Sequence, residues 1–239
     1  MKNIPVYLKT QADGLLDRKI EELDSYLSPC VLCPRQCRAN RVVDELGYCN
    51  APYNLYVSSA FPHFGEESPL VGTHGSGTIF LSHCNLKCVF CQNYDISIYG
   101  IGAQCSYSRL AAIMMELQDK GCHNINLVTP THYIPHLARS LSMAIGMGLS
   151  IPIVYNCGGY ESLEVIRLLE GIVDIYMPDF KYADGAMAGR YSAGADSYPE
   201  VTKRALVEMH RQVGVARPDP DGLLRRGLIV RHLVMPNRG

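Results

Sequence analysis

The chain has 239 residues, 47% of them hydrophobic and 19% charged, enough to bury a sizeable core in one α/β domain or in a domain with a small appendage. Its 22 Lys and Arg against 23 Asp and Glu leave a formal charge of −1, which excludes a bulk field for recruiting nucleic acid or an anionic membrane. Partners must therefore be argued from local sites.

The opening stretch MKNIPVYLKTQADGLLDRKIEELDSYL carries charges throughout and lacks the apolar core and cleavage site of a secretory signal. No later run is apolar enough to span a membrane, so a cytoplasmic protein is expected. Within the opening stretch, LLDRKIEELDSYL has the spacing of an amphipathic surface helix. In a reducing compartment ten cysteines make a poor disulfide framework, and clustered ones point to metal or catalysis. Four of them, Cys30, Cys33, Cys37 and Cys49, lie in a polar segment short of periodic apolar residues, which reads as a small metal-stapled module. FPHFGEESPLVG then reads as a linking loop, with His63, Glu66 and Glu67 solvated or turned toward a site.

From GSGTIFLSHC onward the texture changes. Apolar runs suited to buried strands, TIFLS, NINLVT, IPIVYN, VDIYMPD and GLIVRHLVM, alternate with helical spacing in SRLAAIMMELQDKG, IPHLARSLSMAIGMG, ESLEVIRLLEG and PEVTKRALVEMHRQVG. That alternation predicts a parallel sheet with helices outside it, the helices stopping at Gly121, Gly148, Gly171 and Gly214. SAGADSYPE and VARPDPDGLLRRG read as exposed connections. In such sheets function sits at the carboxyl ends of the strands. There the sequence places Cys84, Cys88 and Cys91, then Thr129 to His132, then Asn156 to Gly159, then Asp179 and Lys181, and last Arg231 and His232.

SHCNLKCVFCQNYD holds three cysteines at C-x3-C-x2-C spacing and no fourth nearby. Thiolates select zinc, copper(I) or iron–sulfur clusters, and three protein ligands leave a position open. A zinc knuckle completed by His83 or a remote residue is the competing reading. Phe90 precedes the last cysteine, and Asn93 and Asp95 follow it. With these residues the stretch resembles the radical S-adenosylmethionine superfamily, in its pyruvate formate-lyase activating enzyme-like branch. It is most similar to members that also carry CVLCPRQC, NLVTPTHY and VDIYMPDFKY.

The resemblance implies a [4Fe–4S] cluster on Cys84, Cys88 and Cys91 whose free iron binds S-adenosylmethionine. It implies reductive cleavage of that cofactor to a 5′-deoxyadenosyl radical, which abstracts hydrogen from a substrate. Activation of a glycyl radical enzyme, with flavodoxin or ferredoxin as electron donor, is the implied role. Cofactor-binding positions carried over are Phe90, Asn93, Asn156, Asp179 and Arg231, the last pairing with the cofactor carboxylate. Asn156 and Cys157 stand where relatives have an acid and a hydroxyl residue, and Met177, Asp179 and Lys181 match an M-x-D-x-K pattern. The glycine-rich GGE element is replaced by TPTH, where Thr131 or His132 either donates to the cofactor or is structural. Cys30, Cys33, Cys37 and Cys49 would hold a second Fe–S cluster or zinc.

The expected fold is an α/β, partial TIM-like barrel of five parallel strands over residues 61–239, with residues 1–60 forming the N-terminal helix and Cys-rich module. Barrels of this branch continue with another helix–strand unit, whereas MPNRG follows the fifth strand directly, so a C-terminally truncated barrel is expected. On that ground an electron-transfer or scaffold protein without hydrogen abstraction is the alternative function.

Overall fold

The computed structural model describes residues 4–234. Two helices open it, α1 (Val6–Ala12) and α2 (Leu16–Ser25). After the cysteine-rich segment come β1 (Tyr56–His63), the short helix α3 (Ser68–Val71), β2 (Ser76–Leu81), the single turn α4 (Tyr94–Ser97) and β3 (Ala103–Gln104). Alternation then follows with α5 (Tyr107–Asp119), β4 (Ile125–Val128), α6 (Ile134–Gly146), β5 (Ile153–Cys157), α7 (Leu163–Leu168) and β6 (Ile175–Pro178). The last elements are α8 (Gly185–Tyr191), α9 (Tyr198–Val213) and β7 (Gly227–Leu228).

One sheet of seven strands runs in the order β3-β1-β2-β4-β5-β6-β7. Among the described residues it is open, with β3 and β7 at its edges. The five expected parallel strands are β2, β4, β5, β6 and β7, paired in sequence order. β7 is only two residues long, but the ladder continues through Ile229 N–H to Tyr176 O and Arg231 N–H to Pro178 O. MPNRG and the last residue of GLIVRHLVM lie outside the described residues.

Three expectations change. β1 and β3 add an antiparallel edge that the sequence does not announce, and β1 runs through residue 60, joining the cysteine-rich segment to the sheet. The expected amphipathic helix is α2, and α1 is added before it, with Tyr7 of α1 and Leu16, Ile20 and Leu23 of α2 buried. The Tyr7 hydroxyl donates to Ile151 O, and Asp174 accepts the N–H groups of Val6 and Ile153 at 2.8 and 2.9 Å. SAGADSYPE is exposed only in part: Ala193, Gly194, Asp196, Ser197 and Glu200 face solvent, while Ser192, Ala195 and Tyr198 are fully buried.

Strand alternation sorts the core into two faces. Ile79, Leu81, Ile125, Leu127, Ile153, Tyr155 and Tyr176 pack outward against the helices, while Val154, Ile175 and Met177 join Leu70 and Leu224 on the inner face. The expected helix stops hold, with Gly121, Gly148, Gly171 and Gly214 all at positive φ just beyond their helices.

Candidate functional site

The cysteine loop leaves the carboxyl end of β2. Ser82 N–H bonds Tyr56 O and His83 N–H bonds Ile96 O, pinning its start. Cys84 Sγ accepts the N–H of Leu86 at 3.4 Å, and Ser97 Oγ donates to Cys91 Sγ at 3.2 Å. The Cys88 sulfur and Ser192 hydroxyl stand 2.9 Å apart, and the Tyr182 hydroxyl is 2.8 Å from the same oxygen. Backbone donors aimed at sulfur favour the thiolate, which is the ligating form. Burial works against it: desolvation, then the neighbouring Cys88, pushes the Cys84 thiol up to about 12. Burial likewise raises Cys88, against the pull of Lys181 and Ser192. Two desolvated sulfurs, Cys84 and Cys88, stand with Cys91 on one loop, each with a donor aimed at it, and a cation would favour their thiolate forms. Their chemistry fits a thiolate-bound cluster.

Among the described residues no group of three or more His, Cys, Asp and Glu is arranged to hold a metal ion. The ring of His83 is packed against Gly100, where an added Cβ would stand 2.3 Å from it, and burial lowers its pKa.

The inner rim carries a second set of groups. Arg231 donates from Nε to Asp179 Oδ1 at 2.9 Å and from Nη2 to Asn156 Oδ1 at 2.6 Å. Asp179 Oδ2 accepts from Lys181 Nζ at 2.6 Å. Burial opposes the Lys181 charge, but Asp179 and Cys88 outweigh it and raise the pKa. On the far side, Glu66 Oε2 accepts from Asn126 at 3.0 Å and Asn156 at 3.3 Å, and lies 4.0 Å from Arg231 Nη1. A polar arc thus runs from Glu66 through Asn156, Arg231 and Asp179 to Lys181, whose charge reaches Cys88 and Cys84.

The structure brings Asn156, Asp179 and Arg231 together. Phe90 is half-buried beside the loop, edge-on to Tyr182, while Asn93 is exposed and caps α4 with its carbonyl. Thr131 and His132 turn out structural: Thr131 donates to Glu161 at 2.8 Å, and His132 Nε2 meets Ser82 O at 2.7 Å. Burial drops the His132 pKa to about 3. Cys157 sits on the opposite face of β5 from Asn156 because adjacent strand residues point to opposite faces. It is buried against the helix layer, in hydrogen-bond contact with Glu161. Of His63, Glu66 and Glu67, which the sequence leaves either solvated or turned toward a site, Glu66 is turned inward. Only 12% of its side chain is exposed, and it closes the arc.

In the N-terminal module Cys30, Cys33 and Cys49 are buried and Cys37 is exposed. The N–H of Leu32 reaches the Cys30 sulfur, and that of Arg35 reaches the Cys33 sulfur. Desolvation raises both thiols, and the charges of Cys37 and Cys49 reach Cys30. At Gly47 an added Cβ would stand 2.4 Å from Cys37 Sγ, so only glycine lets that sulfur approach the turn before Cys49.

No family model matches the chain. It is similar to an uncharacterized protein of Methanocaldococcus jannaschii, 34% identical over 233 residues, which span 94% of this chain and 62% of the relative. The chain thus spans less than two thirds of the length of the curated relative it matches.

Proposed function

We propose that the chain is a radical S-adenosylmethionine enzyme of the pyruvate formate-lyase activating enzyme-like branch. In this reading Cys84, Cys88 and Cys91 hold a [4Fe–4S] cluster, and Asn156, Asp179 and Arg231 hold the cofactor beside it. The observation that supports it is the arc joining Arg231 and Asp179 through Lys181 to the sulfurs of Cys88 and Cys84. One rim unites thiolate ligands with a guanidinium suited to a carboxylate.

Bound there, such a cluster supplies the single electron that cleaves the sulfonium carbon–sulfur bond of S-adenosylmethionine. The chain's own residues do the rest. Arg231 keeps Nη1 short of a hydrogen bond, at 4.0 Å from Glu66, and can turn that edge to a carboxylate. Lys181 offsets thiolate charge, and the Ser192 and Tyr182 hydroxyls orient the Cys88 sulfur. Leu86, Tyr160, Tyr182 and Tyr198 form a buried apolar wall on one side of the loop. On the same resemblance, the hydrogen donor is a partner that becomes a glycyl radical enzyme, and the reductant is a flavodoxin or ferredoxin.

Anaerobic reconstitution with iron and sulfide tests the reading. With dithionite and S-adenosylmethionine the wild-type chain is expected to release 5′-deoxyadenosine, and Cys88→Ala to lose that product together with about four irons per chain. An intact cluster that yields no 5′-deoxyadenosine would leave an electron-transfer role and remove the enzymatic one.

A further inference from the structure

The two cysteine groups are joined by one side chain. Arg35 lies between Cys33 and Cys37, and its own N–H bonds the Cys33 sulfur. Its guanidinium reaches into the barrel, donating from Nε to Asn85 O at 3.0 Å, from Nη1 to Ala193 O at 3.0 Å and from Nη2 to Ser192 O at 2.8 Å. These acceptors surround the other sulfurs. Asn85 directly follows Cys84, and Ser192 sets its hydroxyl 2.9 Å from Cys88 Sγ. Tyr48, which precedes Cys49, supports the same arrangement. Its ring centroid lies 3.9 Å from the guanidinium carbon, and its hydroxyl donates to Ala193 O at 2.7 Å.

A planar fork with donors on three nitrogens can gather three carbonyls from two segments, whereas an ammonium on a flexible stem cannot hold that plane. Asn85 adds a tie of its own, donating from Nδ2 to Tyr160 O at 2.8 Å. The guanidinium therefore fixes the backbone next to one loop cysteine and the hydrogen-bonding partner of another. Its own position is fixed by the turn that holds Cys33.

We propose that Arg35 is a positioning residue that couples the two cysteine groups: metal in the four-cysteine module holds the guanidinium in place, and the guanidinium sets the surroundings of Cys84 and Cys88. The proposal rests on the reading of the 84–91 loop as an iron–sulfur site. The module's own metal, iron or zinc, is immaterial to the coupling and is identified by metal analysis.

The test uses the full chain, reconstituted anaerobically as wild type, Cys33→Ala, Cys88→Ala, Arg35→Met, Arg35→Lys and Tyr48→Phe. Iron and zinc content, the electron paramagnetic resonance spectrum after dithionite reduction, and cluster loss to an iron chelator are measured. Arg35→Met is expected to keep the module's metal, yet to shift the spectrum of the loop cluster and raise its loss to chelator about tenfold, as removal of an outer-shell partner does. Cys33→Ala should reproduce that shift. Arg35→Lys and Tyr48→Phe should give smaller shifts in the same direction, and they decide the matter if Arg35→Met does not fold. Wild-type spectra and chelator resistance in the Arg35 variants, with the signal lost in Cys88→Ala, would overturn the coupling alone. Equal iron and signal in wild type and Cys88→Ala would instead overturn the iron–sulfur reading of the loop, and the coupling with it.

Discussion

At the scale of single residues, Arg231 carries the most concentrated chemistry. It is held by Asp179 and Asn156 on two of its nitrogens and faces Glu66 with the third. Hydrogen bonds to charged groups contribute about 1.5–3 kcal/mol, so Arg231→Met should weaken S-adenosylmethionine binding about ten- to a hundredfold with iron content unchanged. Calorimetric titration of the reconstituted chain measures this, and an unaltered affinity would remove Arg231 from the cofactor site. The three cysteines of the loop stand out in the sequence because their spacing is local. Glu66 does not, because its partners Asn126 and Asn156 are 60 and 90 residues away. Its segment reads as polar and exposed until tertiary packing turns it inward. Cys157 errs the other way: its position beside Asn156 suggests a shared role, and strand alternation separates them.

At the scale of elements, the apolar runs mark the five parallel strands because strands covered by helices are apolar on both faces. β1 escapes because Ser58 and Ser59 interrupt it and a register shift falls between Val57 and Ser59. The connections between elements carry two tests. Gly159, after β5, has φ +84°, and an added Cβ would stand 2.1 Å from Asp179 O and 3.0 Å from the Tyr198 hydroxyl. That hydroxyl gathers Gly158 O, Asp179 O and Lys181 N–H, so the strain of Gly159→Ala cannot be relieved without moving the rim. A loss of about 2–3 kcal/mol is expected, seen as a thermal midpoint lowered by about 4–12 °C.

The second test concerns Asp174, which joins the start of α1 to the start of β5. Burial raises its pKa from 3.8 to about 7, against the pull of those two N–H donors. The folded chain then keeps a proton that the unfolded chain releases near pH 4. This stabilisation is fully present below the lower value and is lost as pH rises to about 7. Glu161, raised to about 7 by its burial, adds the same sign. The buried histidines His132 and His136, lowered to about 3 and about 4, contribute the opposite sign up to about pH 6.5 in both proteins, so the test is the difference: between about pH 4 and 7 the urea midpoint of the wild type should fall relative to that of Asp174→Asn. An identical pH dependence in both would show that Asp174 is ionised throughout.

At the scale of the whole molecule, the sequence conveys the α/β class and the order of the parallel strands. It does not convey how the N-terminal segment lies on them. Residues 6–41 run from the amino ends of the strands, where Val6 meets Asp174, past α6 and α7, to their carboxyl ends, where Arg41 donates to His132 O. Arg41 is fully buried despite its charge, a placement that composition alone argues against. Among the described residues no helix is long and apolar enough to cross a membrane.

That route has a kinetic consequence. The bonds of Val6, Tyr7 and Thr10 to the α/β layer join residues 168, 144 and 161 positions apart. Contacts of such separation carry the largest loop-closure cost and reward it only once the sheet exists. The segment is thus expected to fasten after the strands have paired, and the Arg35 guanidinium carries that late step to the backbone of Asn85 beside the cysteine loop.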